Sequence, residues 1–197
     1  LHFQFRWLLR CHFFKEQAEN FMSTKVDSTK TAEDWFQGGL TAGQTGDPRT
    51  CLESYKKAIE IDSDHFLAHF NLAIRYGKIT MNIEAARHFR EALRLKPESP
   101  MVHYSLAVAC NLIGETDNAF HHYKEAIRIN PDFGKALSNL AMLYYSIKRG
   151  KETIHYLLKA VEVFGKTGDE FMADNAQSIL KDCYKEFNLT ENDCQTL

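Results

Sequence analysis

The sequence predicts an all-α solenoid of antiparallel helix pairs closed by a C-terminal capping helix. Three observations predict it. Ala58, Ala92, Ala126 and Ala160 stand 34 residues apart. Further columns share that step: Gly39, Ala73, Ala107 and Ala141; Cys51, Ala85, Ala119 and Thr153; Tyr55, Phe89, Tyr123 and Leu157; and Leu72, Leu106 and Leu140, with Gly38 in the first copy. Pro97 and Pro131 close two copies, where Ser63 and Gly165 stand in the others. A fixed step of this length, carried by paired amphipathic segments, marks a helical repeat array.

Each column has a physical reason. Antiparallel helices approach closely only where side chains are small, and the alanine, glycine and cysteine columns supply that contact. The Tyr/Phe column fills the volume beside it. Ala85, Phe89 and Ala92 in one helix, and Leu72, Ala73 and Tyr76 in another, follow helical spacing. Proline stops each second helix because it donates no amide hydrogen and restricts the residue before it.

The elements follow in order. Residues 1–30 are an aromatic and basic segment (Phe3, Phe5, Arg6, Trp7, Arg10, Phe13, Phe14) with a polar linker after Met22. Two readings stay open for residues 1–21: sequence from outside the native protein, or an amphipathic segment that docks on the solenoid or on a membrane surface. Arg6 and Arg10 interrupt the apolar stretch and argue against a secretory signal. The four repeats occupy 32–65, 66–99, 100–133 and 134–165. The first is glycine-rich (Gly38, Gly39, Gly43, Gly46), so its first helix is expected to be weak, glycine costing about 1 kcal/mol against alanine in a helix. Met172, Ala176, Ile179, Leu180, Cys183 and Phe187 recur at helical spacing and predict a helix over 168–187 that covers the last repeat, as repeat arrays require; it also fits the first helix of a fifth repeat. Residues 188–197 are polar and expected to be a frayed, flexible tail.

The pattern resembles the tetratricopeptide repeat family. Ala73, Tyr76, Ala85, Phe89, Ala92 and Pro97 carry the resemblance in the second copy, and Ala107, Gly114, Ala119, Tyr123, Ala126 and Pro131 in the third. The family's large aromatic position is kept as Trp35 and replaced by His69, His103 and Leu137. The resemblance implies a right-handed superhelix whose first helices line a concave groove that binds protein segments. Its inward rows are Phe36, Phe70, Tyr104 and Ser138, then Leu40, Ile74, Val108 and Met142, with a polar row of Gln37, Asn71, Ser105 and Asn139 between them. An amide side chain offers an acceptor and two donors, enough to pair with the N–H and C=O of an extended backbone. The row is similar to the asparagine ladder in the superhelix of O-linked N-acetylglucosamine transferase at Asn71 and Asn139, and departs from it at Gln37 and Ser105. Replacing Asn71 and Asn139 by alanine is expected to weaken a ligand without unfolding the chain. The family's carboxylate clamp for chaperone tails is matched only at Asn71: Phe36, Leu40, Met101 and Ser105 stand where its lysines, first-copy asparagine and arginine belong, and a buried terminal carboxylate would lack its cations.

Composition narrows the function. Hydrophobic residues make up 44% and charged residues 25%, an ordinary balance for a globular domain, and the formal charge of −2 argues against nucleic acid as a partner. Five cysteines without paired spacing fit a reducing, cytoplasmic compartment. No apolar run approaches the ~20 residues of a membrane span. His88, His121, His122 and His155 are expected near the convex surface, and His69 and His103 packed inside. No spacing matches a structural zinc site, a phosphate loop or a nucleophile elbow. The reading is therefore of a non-enzymatic adaptor or scaffold without cofactor or metal. A self-assembling unit, using Phe3, Phe5 and Trp7 as an insert, and a regulatory or targeting subunit of an enzyme complex are the alternatives.

Overall fold

The computed structural model describes residues 29–190 and 193. The readings of residues 1–28, including the self-assembly insert, and of the tail beyond 190 apart from Asp193, lie outside these residues. The described residues form α-helices and no strand: α1 (Ala32–Gln44), α2 (Pro48–Ile61), α3 (Phe66–Lys78), α4 (Asn82–Leu95), α5 (Pro100–Leu112), α6 (Thr116–Ile129), α7 (Gly134–Ser146), α8 (Gly150–Thr167) and α9 (Glu170–Phe187). None of them is long and apolar enough to cross a membrane. The chain divides into two compact units, one ending at Ala68 and the next beginning at His69.

In the first unit, Thr31 and Asp34 form a capping box that starts α1: the Thr31 hydroxyl accepts from the Asp34 amide at 3.1 Å, and the Asp34 carboxylate accepts from the Thr31 amide at 2.8 Å. Asp47 caps α2 through the Thr50 amide, with Pro48 at the first helical position. The glycine-rich helix α1 spans 13 residues, the same length as α3. Its expected weakness does not shorten it, because helices in folded chains are held by tertiary packing more than by propensity. Gly39 shows why a glycine is needed there. A Cβ at that position would lie 2.5 Å from the Tyr55 ring, and Tyr55 is only 1% exposed, so the ring has nowhere to go.

In the second unit α5 packs on α6, α7 on α8, α4 on α5, and α6 on α7. The small-residue columns are buried throughout: Ala73, Ala107, Ala141, Ala92, Ala126 and Ala160 are fully inaccessible. Helix α9 packs on α8. There Leu180 and Cys183 join Ala141, Ile154 and Leu157 in one cluster, with Phe187 and Leu189 against it. Leu189 therefore packs, although it lies in the stretch expected to fray. Gly150 admits Phe187 much as Gly39 admits Tyr55, its absent Cβ lying 2.5 Å from that ring.

The turn from first to second helix repeats with the same step. Gly46, Thr80, Gly114 and Lys148 all have positive φ, at 78°, 63°, 81° and 59°. The amide after each donates back into the closing helix: Asp47 to Ala42, Met81 to Tyr76, Glu115 to Cys110 and Arg149 to Tyr144, at 2.8–3.0 Å. This is the left-handed helix stop that favours glycine, and two of the four copies fill it with a residue bearing a Cβ.

These contacts make two predictions. Gly39→Ala gains helix propensity but overpacks against Tyr55, and overpacking costs about 1–3 kcal/mol, so the urea midpoint is expected to fall; Gly165→Ala, with open space around it, is expected to stabilise the chain by about 0.5–1 kcal/mol and to raise the midpoint. Thr80→Gly relieves a left-handed β-branched residue and is expected to stabilise by about 1 kcal/mol. A loss of stability in Thr80→Gly would contradict the turn geometry as its cause.

Candidate functional site

The exposed edges of α3, α5 and α7, with parts of α4 and α6, enclose two recesses in the second unit. The first, about 310 Å³, is lined by Ile74, Gly77 and Lys78 from α3, Asn82, Ala85 and Phe89 from α4, and Tyr104, Ser105, Val108 and Leu112 from α5. The second, about 220 Å³, is lined by Val108, Asn111 and Leu112 from α5, Tyr123 from α6, and Asn139, Met142 and Leu143 from α7. Val108 and Leu112 belong to both, so α5 is a shared wall. Leu112 is 62% exposed and Met142 40% exposed, apolar side chains left open to solvent.

The aromatic row expected in the groove is mostly packing. Phe36 is buried, 3% exposed, with its ring 5.7 Å from Tyr55 and 5.0 Å from His65. It belongs to the core of the first unit and is not a groove residue. Phe70 meets Phe89 edge-on at 5.8 Å. Tyr104 lies 6.1 Å from Tyr123 and 4.9 Å from Phe133. Each first-helix ring finds the second-helix ring 19 residues later, because the close antiparallel approach puts those positions face to face. In the apolar row, Leu40 is half-buried in the first unit. Ile74 and Val108 meet in the first recess, and Val108 and Met142 in the second.

The polar row is largely engaged within the protein. Gln37 donates to Glu33 on its own helix at 2.6 Å. The Ser105 hydroxyl donates to the Met101 carbonyl at 2.8 Å, one turn back. Asn71 is half-buried. Asn139 donates through Nδ2 to the Tyr104 hydroxyl at 3.3 Å and to the Tyr123 hydroxyl at 3.4 Å. With both amide hydrogens committed, what remains of Asn139 is the Oδ1 acceptor. Burial pushes Tyr123 up to about 12 and raises Tyr104, so both phenols stay neutral and keep an O–H to donate. The rung at Asn139 is thus composite, an acceptor on Asn139 beside the hydroxyl of Tyr104. Tyr123, Asn82 and Leu112 were not singled out from the sequence as groove residues. Leu112 carried a signal, an apolar residue at the last position before a turn.

Two of the histidines expected on the convex surface face inward. His88 is 6% exposed and its Nδ1 lies 3.0 Å from Nδ1 of His69; His122 is half-buried, its Nδ1 3.1 Å from that of His103. The step that aligns the columns places each pair between the two helices of one repeat. The Cys110 thiol, buried beside Glu115, is pushed up to about 11 by burial first and the carboxylate second, which makes it a packing group and not a nucleophile. Among the described residues no group of three or more His, Cys, Asp or Glu is arranged to hold a metal ion.

Residues 35–65 and 102–133 match the tetratricopeptide repeat model. Those two segments are tetratricopeptide repeats. No curated protein matches the chain. Solved structures do, at low identity. A crystal structure of the MamA protein is 18% identical, covering 84% of this chain and 96% of that one with a TM-score of 0.65. MamA from Desulfovibrio magneticus RS-1, residues 41 to the end, is 16% identical, covering 71% and 78% with a TM-score of 0.66. YrrB, described as a TPR protein with an unusual peptide-binding site, is 20% identical, covering 84% of each chain with a TM-score of 0.65. At these identities the likeness establishes the all-α helical repeat fold, and a tetratricopeptide array is a protein-interaction scaffold.

The Asn139 bonds change what its substitution reports. Asn139→Ala leaves the Tyr123 hydroxyl buried without its partner, and such a loss costs about 1–3 kcal/mol. Urea unfolding is expected to show that loss, so alanine at this rung alters stability as well as any ligand contact. An unchanged midpoint would mean the bond carries no stability.

Proposed function

We propose that this chain is a non-catalytic adaptor of the cytoplasm that binds an extended segment of another protein across the exposed edges of α3, α5 and α7. The observation that carries this reading is the pair of apolar recesses sharing Val108 and Leu112, with hydrogen-bonding groups of Asn139 and Tyr104 beside them. In an extended segment every second side chain points to the same side. Two side chains on one side would enter the two recesses, while Asn139 Oδ1 accepts a backbone N–H and the Tyr104 hydroxyl donates to a backbone C=O. Ile74, Val108 and Met142 select side chains by apolar contact, and Ser105 and Asn71 complete the polar row. Phe70 acts as support behind the first recess.

The test separates binding from folding. Segments selected from a displayed peptide library against the full chain are titrated calorimetrically into the wild type and into Leu112→Glu with Met142→Glu. Both positions are exposed, so stability is expected to change by no more than about 0.5 kcal/mol each. Affinity is expected to fall at least tenfold, about 1.4 kcal/mol, since burying an apolar side chain against a ligand contributes about that or more. Unchanged affinity would place the ligand elsewhere on the chain.

A further inference from the structure

The two inward histidine pairs have a direction that their outer partners dictate. His103 Nε2 lies 2.9 Å from the Pro97 carbonyl. A carbonyl only accepts, so Nε2 carries the hydrogen of His103 and Nδ1 is left as a lone pair. His122 Nδ1, 3.1 Å away, must therefore be the donor. The second-repeat pair runs the same way for an independent reason. The Arg87 guanidinium, 3.0 Å from His88 Nε2, only donates, so His88 carries its hydrogen on Nδ1 and donates to His69 Nδ1. In both repeats the second-helix histidine donates to the first-helix histidine.

A pair of this kind holds at most one extra proton without losing the bond between its rings. A first proton on either ring leaves one N–H···N bond at the contact that joins α5 to α6, and a second sets N–H against N–H there. A proton on His122 Nε2 leaves that bond but charges a half-buried ring. His103 of α5, then His121 of α6 and Arg90 of α4 face it and disfavour that charge; Glu125 of α6 opposes them. Glu125 is itself held by Arg128, and Arg90 by Glu115. In the second repeat, protonating His88 Nε2 displaces Arg87, and Tyr76 stacks on the same ring. Burial first, then these neighbours, holds His122 at about 4, against an ordinary histidine value near 6.5.

We propose that the His103–His122 pair is a proton-sensitive clasp, which at neutral pH holds α5 against α6 and on acidification lets them part. Tyr104 and Tyr123 are the next residues on the two helices, and their hydroxyls hold Asn139. Helix α5 lines both recesses, and α6 lends Tyr123 to the second. Opening the clasp therefore loosens the polar rung and the shared wall together. That consequence for a ligand rests on the binding function proposed above; the clasp itself does not. The sign follows from proton uptake. Between about pH 6.5 and about 4 the opened state binds more protons than the closed one, so closure is complete above this window and weakens as pH falls through it.

The test needs no ligand. The fourth repeat fills the same two columns with Leu137 and Tyr156, so the double variant His103→Leu with His122→Tyr replaces the clasp by the chain's own non-titrating solution. Hydrogen exchange of the full chain, corrected for intrinsic rates, is compared at pH 7 and pH 5. Protection of α5 and α6 in the wild type is expected to fall roughly twentyfold, as uptake of one rejected proton with an open-state value near 6.5 requires. In the variant it is expected to stay level. An equal fall in both proteins, or none in the wild type, overturns the proposal. Should the double variant fail to fold, His122→Gln keeps a donor for His103 without titrating and is held to the same outcomes. Nitrogen NMR of the imidazoles at pH 7 gives a second check: His103 protonated on Nδ1, or either ring charged, overturns the assignment.

Discussion

The close approach of the two helices in each repeat, made at positions with little or no side chain, is the constraint on which the rest of the structure depends. Gly39 lies under the Tyr55 ring with no room for a methyl group. Ala73, Ala107 and Ala141 occupy the same column and are fully buried. When two helices are held this near, positions 19 residues apart face each other across the gap. That single register produces the ring pairs Phe36–Tyr55, Phe70–Phe89 and Tyr104–Tyr123, and one residue earlier the pairs His69–His88 and His103–His122.

The same constraint shapes the face on which a ligand would lie. A second-helix ring that fills the gap also reaches the exposed side of the first helices. Tyr123 packs beneath Tyr104 and still presents its hydroxyl to Asn139 on α7. The polar rung is consequently tied to the core, so the chemistry of the surface and the stability of the repeat are not separable at Asn139. They are separable at Leu112 and Met142, which stand away from the core and contribute only apolar area. Polar groups inside the repeat obey a second rule, that a buried donor must find an acceptor. The histidine pairs satisfy it by fixing one tautomer on each side, an arrangement that loses its bond once both rings are protonated.

Surface ion pairs play a smaller part. Arg128 bridges Glu98 and Glu125, and Lys148 with Tyr145 holds Glu186 at the end of α9. Exposed pairs of this kind contribute roughly 0–1 kcal/mol each, far less than the apolar columns. The capping helix is held chiefly by Leu180, Cys183 and Phe187 against α8, and by the glycine at 150 that makes room for the ring.

The sequence by itself determined the all-α repeat class, the small-residue columns that proved fully buried, and the prolines that follow α4 and α6. A period along the chain encodes these directly, since the same column meets the same environment in every copy. It also marked Val108, Met142 and Asn139 beside the recesses. Tertiary structure decided what each of those side chains touches. Phe36 and Val108 sit in adjacent rows of equal apparent promise, yet one is core and the other a recess wall. Asn139 and Ser105 share a column, yet one binds two tyrosines and the other its own helix. His88 and His122 lie in a column that looked external, yet they turn toward the partner helix. A column gives position along a helix, whereas the partner across the gap, 19 or 35 residues away, decides which face is buried and which hydrogen bond is made.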